Sequence, residues 1–128
     1  LLQEPDPVEA ARRIRTAGRK VPGFGHPVHK PVDPRSERIL ELAHERGLEG
    51  PHLTSARALR DDLAPLTMNV SMPIAAVLLD LGYPASTVKA IPILARTASL
   101  LAHLAEEQED PIGLGLAAAA EEAVEYER

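Results

Sequence analysis

Gly23-Phe24-Gly25-His26-Pro27-Val28-His29-Lys30-Pro31-Val32-Asp33-Pro34-Arg35 reads as a stiff loop that runs into a helix start. Gly23 and Gly25 allow a tight turn and a close approach of backbone to ligand. Pro22, Pro27, Pro31 and Pro34 restrict the chain around them. Asp33-Pro34 joins a capping carboxylate to the proline favoured at the first helical position. The stretch therefore predicts a donor-rich loop between two helices.

Working outward, the same signals recur. Asp6-Pro7 opens a first helix carried by Val8, Ala11 and Ile14, and Gly18 stops it. Residues 20–33 are loop. The second helix carries Ile39, Leu40, Leu42 and Ala43 and closes at Gly47; a third covers about 53–64 and ends at Pro65. A fourth starts after Asn69/Ser71, with Val70, Ile74, Val77, Leu78 and Leu81 at helical spacing, and Gly82 and Pro84 break it. A fifth runs from about Ser86 to Glu107, with Pro92 kinking or tightening its first turns. After Asp110-Pro111, the Ala/Glu segment 113–128 reads as helical or frayed. Period-2 alternation is absent, so the fold class is all-α. The chain divides into 1–84, carrying the Gly/Pro loop, and 85–128, the long helix and tail.

The composition agrees. The 128 residues suit one domain, and 45% apolar residues suffice for a core. Aromatics are only 2%, so that core must be aliphatic, which favours packed helices. With no cysteine, disulfide scaffolds and Cys-ligated metal sites are excluded, no metal is expected, and a cytoplasmic location fits. No uninterrupted apolar run approaches about 18 residues, so no membrane association is expected. The net charge of −5 hides a segregation. Arg12, Arg13, Arg15, Arg19, Lys20, Lys30, Arg35 and Arg38 face only Asp33 and Glu37 in their stretch, which makes it +6 and leaves −11 elsewhere. Such a patch implies an anionic partner. With Phe24 as its single aromatic, it suits a compact phosphate-bearing cofactor better than nucleic acid.

Two further arginines stand out. Arg35 lies in the first turn of its helix, where the macrodipole disfavours a cation by a few tenths of a kcal/mol. An anion in front of it would offset that cost. Arg96, Ser99 and His103 recur at i, i+3, i+7, a polar stripe on an otherwise apolar helix. A buried arginine there needs a partner, either an internal glutamate or a substrate carboxylate gripped by its fork.

Taken together, Gly23-Phe24-Gly25-His26, Asp33-Pro34-Arg35, Asn69-Val70 with the apolar helix to Gly82-Tyr83-Pro84, and Ala95-Arg96-Thr97 with Ala102-His103 resemble the C-terminal part of citrate synthase. The wording Pro22-Gly23-Phe24-Gly25-His26-Pro27-Val28-His29 is closest to citrate-synthase-like proteins of the citryl-CoA lyase kind. The resemblance covers about Arg12 to Ile112. It implies a citrate-synthase-like small domain followed by the helix returning to the large domain, in the family a helical homodimer. The family's enzymes condense acetyl-CoA with oxaloacetate or cleave citryl-CoA. By resemblance, His26 donates to the keto oxygen of oxaloacetate. Arg35 and Arg96 grip substrate carboxylate. Lys30 takes the place of an arginine that binds CoA phosphate, keeping the charge and losing the fork. Val21, Pro22, Gly23, Phe24 and Gly25 resemble the segment around the CoA adenine.

Three departures limit this reading. The family's Asn-Val-Asp places its catalytic base third, whereas this chain has Asn69-Val70-Ser71. A serine hydroxyl does not accept a methyl proton at neutral pH as a carboxylate does. Ser71 is left to orient a water or thioester, or to cap the fourth helix. The family's Arg-Pro near the C-terminus reads Asp110-Pro111 here. The second catalytic histidine has no counterpart in residues 1–22. The expectation is a partial citrate-synthase-like protein, inactive alone, whose parent makes or breaks carbon–carbon bonds on an acyl-CoA. A citryl-CoA or related acyl-CoA lyase with another acceptor, and a non-catalytic CoA-binding or dimerisation module, are the alternatives.

Overall fold

A computed structural model describes residues 1–124. The last four residues of the expected C-terminal helix lie outside the described residues. Among the described residues seven helices follow one another: α1 (Pro7–Thr16), α2 (Pro34–Glu45), α3 (Pro51–Asp62), α4 (Ser71–Asp80), α5 (Ala85–Val88), α6 (Ala90–Glu109) and α7 (Gly113–Glu122). Among the described residues there is no strand, only one bridge between Phe24 and Met68. The all-α expectation holds.

The helix ends show why the sequence folds this way. Asp6 caps α1, its Oδ1 accepting from the Glu9 N–H at 2.9 Å, with Pro7 in the first turn. At the other end Gly18 adopts φ +69°. That left-handed residue lets the Gly18 N–H reach the Arg15 carbonyl (3.0 Å) and the Arg19 N–H reach Ile14 (3.1 Å), a paired C-terminal closure. Asp33 caps α2 in the manner that Asp33-Pro34 predicts.

Three boundaries differ from the sequence reading. Helix α3 starts at Pro51, two residues early, because its cap is borrowed. Gly50 offers no side chain, and Asp80 of α4 accepts from the His52 and Leu53 N–H groups at 3.0 and 2.9 Å. Helix α4 has Val70 at its cap position, and Asn69 Oδ1 accepts the Ser71 N–H at 3.1 Å. Ser71 is thus the first helical residue and not the cap. The expected fifth helix is split at Lys89 into α5 and α6. A proline at position 92 has no N–H to donate one turn back, which weakens the helix at that point.

Contacts group Leu1–Lys89 and Ala90–Arg128 into two units. In the first, α3 packs on α1 and α4, and α4 on α2. Leu53, Ala56, Leu59 and Leu63 are wholly buried along the α3 axis, joined by Ala11, Leu40, Met68, Met72 and Ala76. The core is aliphatic apart from Phe24, as the scarcity of aromatics requires. In the second unit no residue of α6 is buried. Ala85–Glu109 contains an 18-residue window of mean hydropathy 1.3, long and apolar enough to cross a membrane by length and composition. The sequence reading missed this because charges at Lys89 and Arg96 interrupt the run. A helix packed inside a larger helical fold has the same composition.

Ser36 on α2 is fully buried, and among the described residues its hydroxyl has no hydrogen-bond partner. Ser36→Ala is therefore expected to raise the unfolding free energy by about 1 kcal/mol, since a lone buried hydroxyl costs about that much or more. Urea denaturation measures it; a loss of stability would reveal a partner for the hydroxyl.

Candidate functional site

The Gly/Pro loop is held like a strand without being one. Gly23 and Gly25 both sit at positive φ, +84° and +85°. A Cβ on Gly23 would come within 2.6 Å of Met72 Cε, so this position needs glycine twice over. The Gly25 N–H donates to the Thr67 carbonyl at 2.7 Å, and the Asn69 N–H donates to Gly23 at 3.0 Å. Asn69 Nδ2 then donates to the Gly25 carbonyl at 3.1 Å. Further along, Thr67 Oγ1 donates to the Pro31 carbonyl at 2.8 Å. Phe24, 8% exposed, plugs the loop into the core. The segment before α4 thus serves as the template for the loop.

On this frame His26 has one orientation. Its Nδ1 accepts from the backbone N–H groups of Val28 (3.1 Å) and His29 (2.9 Å). The His29 ring lies against it, centroids 4.5 Å apart. An imidazole that accepts twice at Nδ1 carries its proton on Nε2. That nitrogen faces Arg35 Nη2 at 3.1 Å. Two donors therefore meet there, and among the described residues no acceptor bonds to both.

Arg35 is fixed from behind. Asp33 Oδ1 accepts from both Arg35 Nε (3.0 Å) and the Arg35 backbone N–H (3.1 Å), and Oδ2 accepts from Nη2 (2.9 Å). The Val70 N–H also donates to Asp33 Oδ2, at 3.2 Å. Asp33 is wholly buried, while the Arg35 side chain is 51% exposed. Donation from the Arg35 guanidinium holds the Asp33 carboxyl well below the usual carboxylate range. Burial opposes this, and the N–H groups of Arg35 and Val70 help to outweigh it. The same contact raises Arg35, which remains a cation. With Nε and half of Nη2 spent on Asp33, the outer edge of the guanidinium is left to grip a carboxylate.

His26 and Lys30 line one cavity of about 480 Å³, with Gly25, Pro31 and Thr67 in its wall. Ser71, Pro22 and Gly23 line a different, largely apolar one of about 260 Å³, with Met72 and Ala75. The Ser71 side is exposed. Val21 is buried beneath the loop. Arg96 belongs to the other unit, where it is exposed and its carbonyl accepts from Ser99 Oγ at 3.1 Å. The sequence argument for it assumed burial, which α6 does not supply within its own unit.

Sequence reasoning missed two positioning residues. Asp33 was read only as a helix cap, and its second role is to orient Arg35 and tie the loop to Val70. The Asp-Pro-Arg triplet held that signal, because a carboxylate two residues before an arginine can close a fork on it. Asn69 was read as a motif letter, and it is the side chain that joins the Gly25 carbonyl to the start of α4.

With this geometry in view, comparisons with known proteins converge. The family model described as citrate synthase, C-terminal domain, matches residues 2–113. Proteins named "Putative citrate synthase 2" in Mycobacterium tuberculosis and Mycobacterium bovis are each 33% identical over 113 residues, covering 80% of this chain and 30% of theirs. A solved structure of citryl-CoA lyase from Hydrogenobacter thermophilus is similar, with TM-score 0.77 and 26% identity over 98% of this chain and 51% of that one. The chain thus spans 30% of the length of those curated relatives and about half of that lyase.

Proposed function

Since the chain belongs to the citrate synthase family, we propose that it supplies the substrate-gripping part of an enzyme that makes or breaks a carbon–carbon bond on an acyl-CoA. The observation that carries this reading is the pair of donors His26 Nε2 and Arg35 Nη2, 3.1 Å apart, the first oriented by the Val28 and His29 N–H groups and the second by the buried Asp33. An α-keto acid fits that pair. Its keto oxygen accepts from His26 Nε2, and its carboxylate takes the outer edge of Arg35. Charge that develops on that oxygen during carbon–carbon bond formation meets a donor that is already oriented. Lys30, in the same cavity, takes a phosphate of CoA, and the backbone from Val21 to Gly25 encloses the adenine. Arg96 is assigned to a second carboxylate.

Ser71 does not replace an aspartate as base. Its hydroxyl orients a water or the thioester, and the proton acceptor comes from elsewhere in the parent enzyme. The chain alone is therefore expected to turn over neither acetyl-CoA with oxaloacetate nor citryl-CoA. The likeness to a citryl-CoA lyase favours cleavage as the alternative direction for the parent. A module that binds CoA without chemistry is the second alternative.

Calorimetry with CoA tests the cofactor half of this reading. The 128-residue chain is expected to bind CoA, and Lys30→Glu is expected to weaken binding by roughly tenfold or more by replacing attraction with repulsion. Equal affinity in the variant removes Lys30 from the site, and an unmodified chain that binds no CoA overturns the cofactor assignment.

A further inference from the structure

Among the described residues the ring packed against His26 is that of His29, with centroids 4.5 Å apart and planes inclined by 33°. That separation is at the close end of the range, about 4.5–7 Å, over which aromatic rings pack. The same residue also reaches His26 through its backbone, its N–H donating to Nδ1 at 2.9 Å. His26 lines the cavity that it shares with Lys30, and His29 does not. A ligand in that cavity therefore meets the first histidine and not the second.

Local sequence accounts for the arrangement. Pro27 holds φ at about −65° and has no N–H, so the next two N–H groups along the chain, of Val28 and His29, both reach Nδ1. Bonds of this short-range kind lie in a loop where water competes for both partners, and the one from Val28 is exposed. They need the imidazole held in place. Val28 is 76% exposed and supplies no wall for it, whereas His29 is half-buried and lays its ring on it. A swing of the His26 side chain would break the contact with that ring and carry Nε2 away from Arg35 Nη2, now 3.1 Å off.

We propose that His29 is a positioning residue for His26. Its ring braces the imidazole and its N–H engages Nδ1, which together keep Nε2 aimed beside Arg35. The consequence for chemistry rests on the α-keto acid reading above; the positioning itself does not. A donor fixed before charge develops on a keto oxygen needs no reorganisation at that moment. Any flat ring at position 29 would serve, because the brace uses its face and not its ionisation.

Amide exchange of the 128-residue chain, followed by NMR at pH 8, tests the brace, since the Val28 amide reports directly on the bond to Nδ1. In His29→Ala the protection factor of that amide is expected to fall by about threefold or more, toward the value set by His26→Ala. His29→Phe, which keeps a ring, is expected to stay within about twofold of the unmodified protein. Amides of the buried α3 helix separate this from general loosening and should not change. An unchanged Val28 amide in His29→Ala, an equal loss of protection in α3, or failure of His29→Phe to restore the protection overturns the proposal. Oxaloacetate titrated into the same proteins should bind about fivefold more weakly to His29→Ala than to the unmodified chain or His29→Phe. Measurable but equal affinity in all three overturns the brace as well. An unmodified chain that binds no oxaloacetate defeats the α-keto acid reading instead, and the amide result still decides the role of His29.

Discussion

Asp33→Ala is expected to lower the unfolding free energy by about 3 kcal/mol, or roughly 10 °C in Tm, making it one of the two most damaging substitutions proposed. The wholly buried carboxylate accepts from the Arg35 backbone N–H, both ends of the Arg35 fork and the Val70 N–H. Its removal uncaps α2, at about 1 kcal/mol. It also strands the Val70 N–H, at about 1–3 kcal/mol. The lost ion pair adds less than a wholly buried one, because the Arg35 side chain is half exposed and rehydrates. Thermal denaturation monitored by circular dichroism measures the sum. A fall under about 1 kcal/mol would mean that Asp33 acts as an ordinary surface cap.

Acid should erase this difference. The folded-state pKa of Asp33 is depressed. Its stabilisation is therefore fully present above the unfolded value, about 3.9, and is lost as pH falls through the lower folded value. The gap between unmodified protein and Asp33→Ala is expected to stay constant from pH 7 to 5 and to narrow progressively below pH 4. If the variant shares the CoA site but not the substrate grip, its CoA affinity survives while α-keto acid binding weakens, because Arg35 is no longer aimed.

How much of this was legible in the sequence follows from the range of each interaction. Asp6-Pro7 and Asp33-Pro34 announced α1 and α2 because a cap and its helix lie within three residues of each other. Gly82 and Pro84 ended α4 for the same local reason. His26 and Arg35 stood out in a loop rich in glycine and proline, but their mutual orientation did not. It depends on Asp33 and on the backbone N–H groups of Val28 and His29, whose direction only the folded loop fixes. Asn69 was legible as a motif letter; its bonds to Gly23 and Gly25, more than forty residues away, were not. The split at Lys89 was half legible, since Pro92 announced a disturbance but not whether the helix would bend or break.

The start of α3 shows the same limit and supplies the sharpest test. Glycine is a mediocre cap, so helix preferences predict that Gly50→Ser stabilises the protein by a few tenths of a kcal/mol. The structure predicts the reverse. Asp80, on α4, already occupies the cap: its carboxylate accepts from the His52 and Leu53 N–H groups and lies 2.7 Å from His52 Nδ1. Burial alone would raise the Asp80 pKa; the N–H groups of Leu53 and His52, with the His52 ring, outweigh it and hold the carboxyl below its ordinary value. A Cβ on Gly50 would overlap that carboxyl outright. Gly50→Ser is therefore expected to cost about 2–3 kcal/mol, as steric displacement strips a buried cap from its N–H groups. Asp80→Ala should cost a similar amount, about 2–3 kcal/mol, by leaving the same groups bare. The double variant is the decisive member, because with the carboxyl gone the serine has room and two free N–H groups to accept from. It is expected to be more stable than Asp80→Ala alone, a coupling of about 2 kcal/mol or more in a double-mutant cycle. Additive losses in urea denaturation would mean that Gly50 and Asp80 act independently and that α3 is capped by solvent.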